Sequence, residues 1–379
     1  MSLTALHGHT PALSDRDAQP DSPGGVEPLR VAMVAPPWFE LPPRGYGGTE
    51  AVVAGLVDAL VDRGHDVTLL SSGEHRTRAT RHHRVYETPP TALLGNPLPE
   101  VTAAAETAAA LRDADVDVVH DHSLAGPLLA GSRSQPTIVT MHGPVAGENG
   151  EYYRRLGRSV GLVAISDAQR RLAPDLNWVG TVHNAIDVGS FPYRADKDDY
   201  LLWLGRFSPD KAPDLAITAA RQVGRRIVLA GKMNETAERE YFRDVVRPLL
   251  GPDVEYVGEA DATLKRELLS GARALVFPIQ WDEPFGMVMI EAMASGTPVV
   301  ALRRGSVPEV VAHGRSGLVV DDFADFAAAL RLAEELDPAE VRREAETRFD
   351  LPVMAAGYER VYRQVLATHA AAARVARRA

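Results

Sequence analysis

Twice along this chain a short apolar run passes directly into a glycine- or cation-bearing loop and then into a stretch with helical spacing. Arg30 to Ala35 (RVAMVA) has the length and unbroken apolarity of a strand buried on both faces. It leads into PPWFELPPRGYGGTE, after which Val52, Val53, Leu56, Val57 and Leu60 recur at helical spacing, with Thr49 placed to cap the helix. Gly64 ends that helix, and Asp66 to Ser71 (DVTLLS) reads as the next strand. The pattern restarts at Tyr200 to Gly205 (YLLWLG), passes Arg206, Phe207, Ser208, Pro209, Asp210 and Lys211, and enters a helix from about Pro213. A strand covered on both faces needs helices above and below it. The chain is therefore held to an α/β fold of parallel sheets, in two units.

Further strands are expected at 82–86, 116–120, 136–141, 161–165 and 179–183 in the first unit, and at 226–230, 254–257, 273–277 and 317–321 in the second. Helices are expected at 101–113, from Thr263, and at 322–335 and 338–347. Residues 1–28 mix Pro, Ser, Gly, Asp and His without the apolar core of a signal peptide, and read as a disordered leader. A Rossmann-like domain then spans 29–195 and a second spans 196–352, with the charged segment Tyr193 to Asp199 connecting them across a cleft. At 379 residues there is chain enough for two cores.

The formal charge of −10 argues against a nucleic-acid binder, since phosphates need a basic surface. With no cysteine, disulfides, thiolate metal sites and cysteine nucleophiles are excluded. No apolar run is long enough to span a bilayer, and a cytoplasmic location is expected. Arg374, Arg377 and Arg378 in the alanine-rich C-terminal helix suit a helix C-terminus and leave peripheral membrane contact open.

Candidate chemistry concentrates in Pro278 to Glu309. A polar turn leads into a helix starting near Gly286, in which Glu291 stands alone among Met287, Val288, Met289 and Ile290. A carboxylate there costs several kcal/mol unless paired, so Glu291 needs a partner. Glu283, eight positions earlier, lies at the helix entrance, where free backbone N–H groups favour an anion. Such a pair can grip sugar hydroxyls while the N–H groups face a phosphate, or can be a capping carboxylate plus a buried ion pair. Arg206 and Lys211, in the loop after a strand, are placed to neutralise a diphosphate. Gly45, Gly47 and Gly48 lack the GxGxxG spacing and there is no Walker lysine; they let the backbone approach a ligand ahead of a helix, or simply make a tight turn. His142 closes the strand-like PTIVTM. His120-Asp121-His122 reads as a polar strand end facing the cleft or, less simply, as a metal cluster. Ser166 and Ser306 are placed as helix N-caps.

The stretch Glu283-Pro-Phe-Gly-Met-Val-Met-Ile-Glu291, with the following Ser-Gly-Thr-Pro-Val-Val and Pro308-Glu309, resembles glycosyltransferase family 4, whose hallmark is two glutamates separated by seven residues. The resemblance covers roughly residues 30 to 370 and implies a GT-B fold, with a final helix, about 353–376, crossing back onto the first domain. It implies retaining transfer of a hexose from a nucleotide-diphosphate sugar, of UDP-glucose or GDP-mannose type, to a hydroxyl acceptor, with no metal or other cofactor. Glu283, His142, Arg206 and Lys211 are the catalytic residues it implies, and Gly47, Gly48, Phe285, Gly286, Met287 and Glu291 join them around the donor. Ala185 stands where the family's Asn-Gly-hydrophobic-Asp element has glycine, so no positive φ is expected to be needed there. A sugar-nucleotide epimerase of the same architecture and a non-catalytic nucleotide-sugar binder are the alternatives; the glutamate pair favours transfer.

Overall fold

The computed structural model describes residues 27–43 and 47–376. Most of the expected leader, residues 1–26, lies outside the described residues, as do Gly45, Arg377 and Arg378. The first sheet has seven parallel strands: β1 (Arg30–Val34), β2 (Asp66–Ser72), β3 (Arg81–Tyr86), β4 (Val118–Asp121), β5 (Thr137–Met141), β6 (Gly161–Ala164) and β7 (Trp178–Thr181), in the order β3-β2-β1-β4-β5-β6-β7. The second has six: β8 (Leu201–Leu204), β9 (Ile227–Ala230), β10 (Val254–Tyr256), β11 (Leu275–Phe277), β12 (Val299–Leu302) and β13 (Gly317–Val320), in the order β10-β9-β8-β11-β12-β13. These are the two Rossmann-like sheets of a GT-B fold, as the sequence implied.

Each sheet reverses its winding once, between β1 and β4 in the first and between β8 and β11 in the second. Ligands of such sheets bind outside the carboxyl ends of the strands at these switch points. The loops after β1, β4, β5, β8 and β11 hold, in turn, Gly47 (with Gly48 opening the helix that follows), His122, His142, Arg206–Lys211 and Glu283. The topology alone therefore gathers residues up to about 240 positions apart in sequence at two facing crevices.

Burial follows the apolar runs. Val31, Met33, Leu56, Leu60 and Leu69 pack in one core, and with them pack Met354, Ala355, Tyr358 and Tyr362 of the C-terminal helix Leu351–Ala376. That helix starts on the second half of the chain and lies on the first sheet, where Glu359 accepts from Arg63 Nε at 2.9 Å. The tyrosines also reach the polar strand ends: Tyr362 Oη is 2.8 Å from His120 Nδ1, and Tyr358 Oη is 2.9 Å from Thr140 Oγ1.

Two capping expectations fail. The helix Gly48–Asp62 starts at an uncapped Gly47, so Thr49 lies inside its first turn rather than ahead of it. Ser306 precedes Val307–Val310 but does not cap it: its hydroxyl donates instead to the Phe285 carbonyl at 2.8 Å, tying that short helix to the glutamate loop. Ser166 does cap, accepting from Gln169 N at 3.0 Å. Among the described residues only Ala212 is a non-glycine with positive φ, so Ala185 sits on ordinary backbone.

Candidate active site

The wall of the cleft on the second sheet is the helix Met287–Ala294 and the loop before it. Gly286 has φ 81°, and a Cβ there would stand 2.6 Å from Met289 Cε and 3.3 Å from Glu283 Cγ. Only glycine lets the chain turn into the helix this tightly. No side chain caps the first turn. Both glutamates are nearly buried and both find a lysine. Lys211 Nζ donates to Glu283, which also accepts from Trp281 Nε1 at 3.1 Å. Lys265 Nζ donates to Glu291 at 2.6 Å. The partner that Glu291 needed thus comes from the helix Ala262–Gly271, and Lys211 stands 5.0 Å from the centre of the Trp281 ring. Arg206 is more open: Nη1 lies 3.3 Å from Glu238 and Nη2 3.9 Å from Asp210.

The facing wall belongs to the first sheet. Gly47 (φ 146°) packs so closely on Pro43 that a Cβ would come within 2.9 Å of it. Glu50, in the first helical turn after it, is buried at the cleft, and burial pushes its carboxyl up to about 7. Glu100 accepts from Trp38 Nε1 at 2.9 Å and from Leu124 N at 3.1 Å. His142 Nε2 lies 2.8 Å from His122 Nδ1, and burial pushes His142 down to about 4 and His122 well below the usual histidine range. Both rings are therefore neutral at pH 7.

The polar strand end His120-Asp121-His122 divides in two. The His120 and His122 rings face the same way, with centroids 4.0 Å apart. Asp121 turns to Ser123, accepting from its N at 2.9 Å and its Oγ at 2.7 Å, and burial pushes it up to about 6. Among the described residues no group of three His, Cys, Asp or Glu side chains is arranged to hold a metal ion.

Between the walls lies a cleft of about 580 Å³. Gly47, Gly48 and His142 line it on one side, and Glu283, Phe285, Gly286 and Met287 on the other. Arg206, Lys211 and Glu291 are set back from it; Lys211 reaches it through Glu283. A second cavity of about 380 Å³ adjoins, with Glu283 and Trp281 on one side and Arg171 on the other. The two walls are joined by Glu309, whose carboxylate accepts from Asp167 N at 2.7 Å and Ala168 N at 2.5 Å, the first two backbone donors of the helix Asp167–Leu172, which the Ser166 cap leaves free. Arg171 lies 3.2 Å and His183 3.4 Å from it. Sequence reading singled out none of Lys265, Trp281, Glu50 or Glu100. Glu309 stands out in the sequence only as part of a motif.

A family model described as glycosyltransferase family 4 matches residues 46–190, and one described as glycosyl transferases group 1 matches residues 190–348. Among curated proteins, a phosphatidyl-myo-inositol mannosyltransferase of Mycolicibacterium smegmatis is 27% identical, the alignment covering 89% of this chain and 94% of that protein. A glycogen synthase of Mycobacterium tuberculosis is 29% identical over 88% of this chain and 94% of its own length. Among solved structures, AviGT4, a glycosyltransferase involved in avilamycin A biosynthesis, superposes with a TM-score of 0.70 at 30% identity, covering 90% of this chain and 98% of that one.

Proposed function

The chain belongs to glycosyltransferase family 4, and from that premise we propose that it moves a hexose from a nucleotide-diphosphate sugar, of UDP-glucose or GDP-mannose type, to a hydroxyl acceptor with retention of anomeric configuration. The observation that carries this reading is the pair of lysine-bound glutamates, Glu283 (with Lys211) before and Glu291 (with Lys265) within the helix Met287–Ala294, whose entrance faces His142 and Gly47–Gly48. Each of these two glutamates is paired with an ammonium before a donor arrives, which offsets its repulsion of an incoming diphosphate.

Arg206 and Lys211 stabilise the departing diphosphate, with the uncapped N–H groups after Gly286 and those at Gly47–Gly48 adding to them. In that role they replace a divalent metal. Glu283 holds sugar hydroxyls near the anomeric carbon, and Glu291 accepts from the ribose hydroxyls. His142, neutral, contacts the sugar or the incoming hydroxyl. The leaving diphosphate and the attacking hydroxyl occupy the same face of the sugar, so the acceptor proton passes to the departing phosphate oxygen and no covalent enzyme intermediate forms.

Arg206 provides the cleanest test. Its side chain is 39% exposed, and its partner Glu238 keeps two backbone donors, Asn234 N and Glu235 N, when the guanidinium is removed. Arg206→Ala should therefore fold normally yet lose on the order of 100-fold in turnover, as for other removed transition-state donors. Wild-type turnover in that variant would overturn the assignment.

A further inference from the structure

The histidines behind the cleft form a proton-ordered pair. His122 Nε2 lies 3.2 Å from the Met33 Sδ, in the interior of the first sheet. A thioether sulfur has no proton to give and accepts only weakly. The nitrogen facing it is therefore the N–H; a bare nitrogen lone pair against sulfur would leave both groups without a partner. A neutral imidazole carries one proton, so His122 Nδ1 is bare and accepts. Its partner, His142 Nε2 at 2.8 Å, is then the N–H that donates. By the same count His142 Nδ1 is bare. Among the described residues nothing is bonded to it, and the ring lines the cleft.

The geometry points to Met33 and His122 as positioning residues that lock His142 in the Nε2–H tautomer, so that it offers the cleft a lone pair and accepts a hydrogen bond from a substrate hydroxyl. The opposite tautomer would present an N–H suited to a phosphate or carbonyl oxygen. His142 is thus a reader of hydroxyls and not a further diphosphate ligand. Burial, which keeps both rings uncharged at neutral pH, is what allows a single proton to set this polarity. The identity of the hydroxyl, on hexose or acceptor, rests on the transferase reading; the tautomer does not.

The test is nitrogen NMR of the full-length protein with ring-15N histidine, without donor or acceptor, at pH 7. His142→Gln identifies the His142 signals by their loss. A protonated Nε2 and an unprotonated Nδ1 at His142 are expected, and a protonated Nδ1 would overturn the proposal whatever the protein catalyses. Met33→Leu keeps the volume and removes the sulfur, so the His142 signals should shift toward a mixture of tautomers. His122→Asn, whose Oδ1 can take the place of Nδ1 as acceptor, should keep the wild-type pattern and most of the turnover. His122→Phe should lose the pattern and about tenfold in kcat/KM, the scale of one hydrogen bond. Unchanged His142 signals in both Met33→Leu and His122→Phe would also overturn it. The spectrum is read with no reaction running, so a failed transferase reading and a failed tautomer lock give separate results.

Discussion

Replacing Lys211 by Met strands the Glu283 carboxylate in a site where the two side chains are 16% and 12% exposed. What remains is one donor, Trp281 Nε1 at 3.1 Å. Breaking a buried pair by removing one partner costs about 3–5 kcal/mol, and the water still reaching this pair puts the loss near the lower end, about 3 kcal/mol. A unit of this size loses roughly 2–4 °C of Tm per kcal/mol, so Lys211→Met should melt about 6–12 °C below wild type. Glu283→Gln leaves the ammonium facing a neutral amide and should also melt below wild type. The double variant Lys211→Met with Glu283→Gln buries no uncompensated charge and should return to within ~1 kcal/mol of wild type. Nucleotide release should nevertheless fall on the order of 100-fold in all three, because the proposed transfer uses both groups. Thermal melts beside a nucleotide-release assay read both quantities. Additive melting losses in the double variant, or wild-type melting of Lys211→Met, would refute the ion pair; a stable and active double variant would refute its role in transfer.

Three other outcomes follow from the same geometry. Lys265→Met, which strands the Glu291 carboxylate proposed to accept from the ribose, should raise the donor KM about tenfold with a smaller change in kcat, read by steady-state kinetics. Glu309→Ala removes the hydrogen bonds that hold the helix Asp167–Leu172 to the second sheet and should increase the radius of gyration in solution scattering. Hydrogen bonds from His183 and from the Asp167 and Ala168 backbone outweigh burial and hold Glu309 below the usual carboxylate pKa; the stabilisation is present above the unfolded value of 4.5 and lost as pH falls through the folded one, so wild type should show the same expansion on acidification. Glu50 has the opposite sign. Its folded pKa, about 7, is above its unfolded 4.5, so its contribution is full below 4.5 and lost as pH rises through 7. Glu50→Gln should therefore raise Tm at pH 8 and change it little at pH 4.

The strands were legible because burial on both faces leaves runs such as RVAMVA and YLLWLG unbroken by polar residues, and the helix after Gly286 was legible from its glycine and its apolar run. The order of the strands in each sheet, and hence which loops meet, leaves no such local trace. Glu283 and Glu291 could be singled out because a carboxylate beside an apolar helix must be compensated, but their lysines lie 72 and 26 residues away, joined only by the fold. Thr49 has the type and position of a cap, yet the helix starts two residues earlier, with Gly47, packed closely on Pro43, in the cap position. Ser306 likewise looked like a cap until the Phe285 carbonyl, 21 residues back, came within reach. His122 reads as a polar strand end in sequence; its polarity as a hydrogen-bond partner depends on the sulfur of Met33, 89 residues earlier.

Nucleotide release from a panel of UDP-, GDP- and ADP-hexoses in EDTA, with Glu283→Gln alongside, tests most directly the proposed donor cleavage by this cleft without a metal. Slow release from one donor, unchanged by EDTA and lost in the variant, is the predicted result. Release that stops in EDTA and returns with a divalent cation, or that survives in Glu283→Gln, would contradict it.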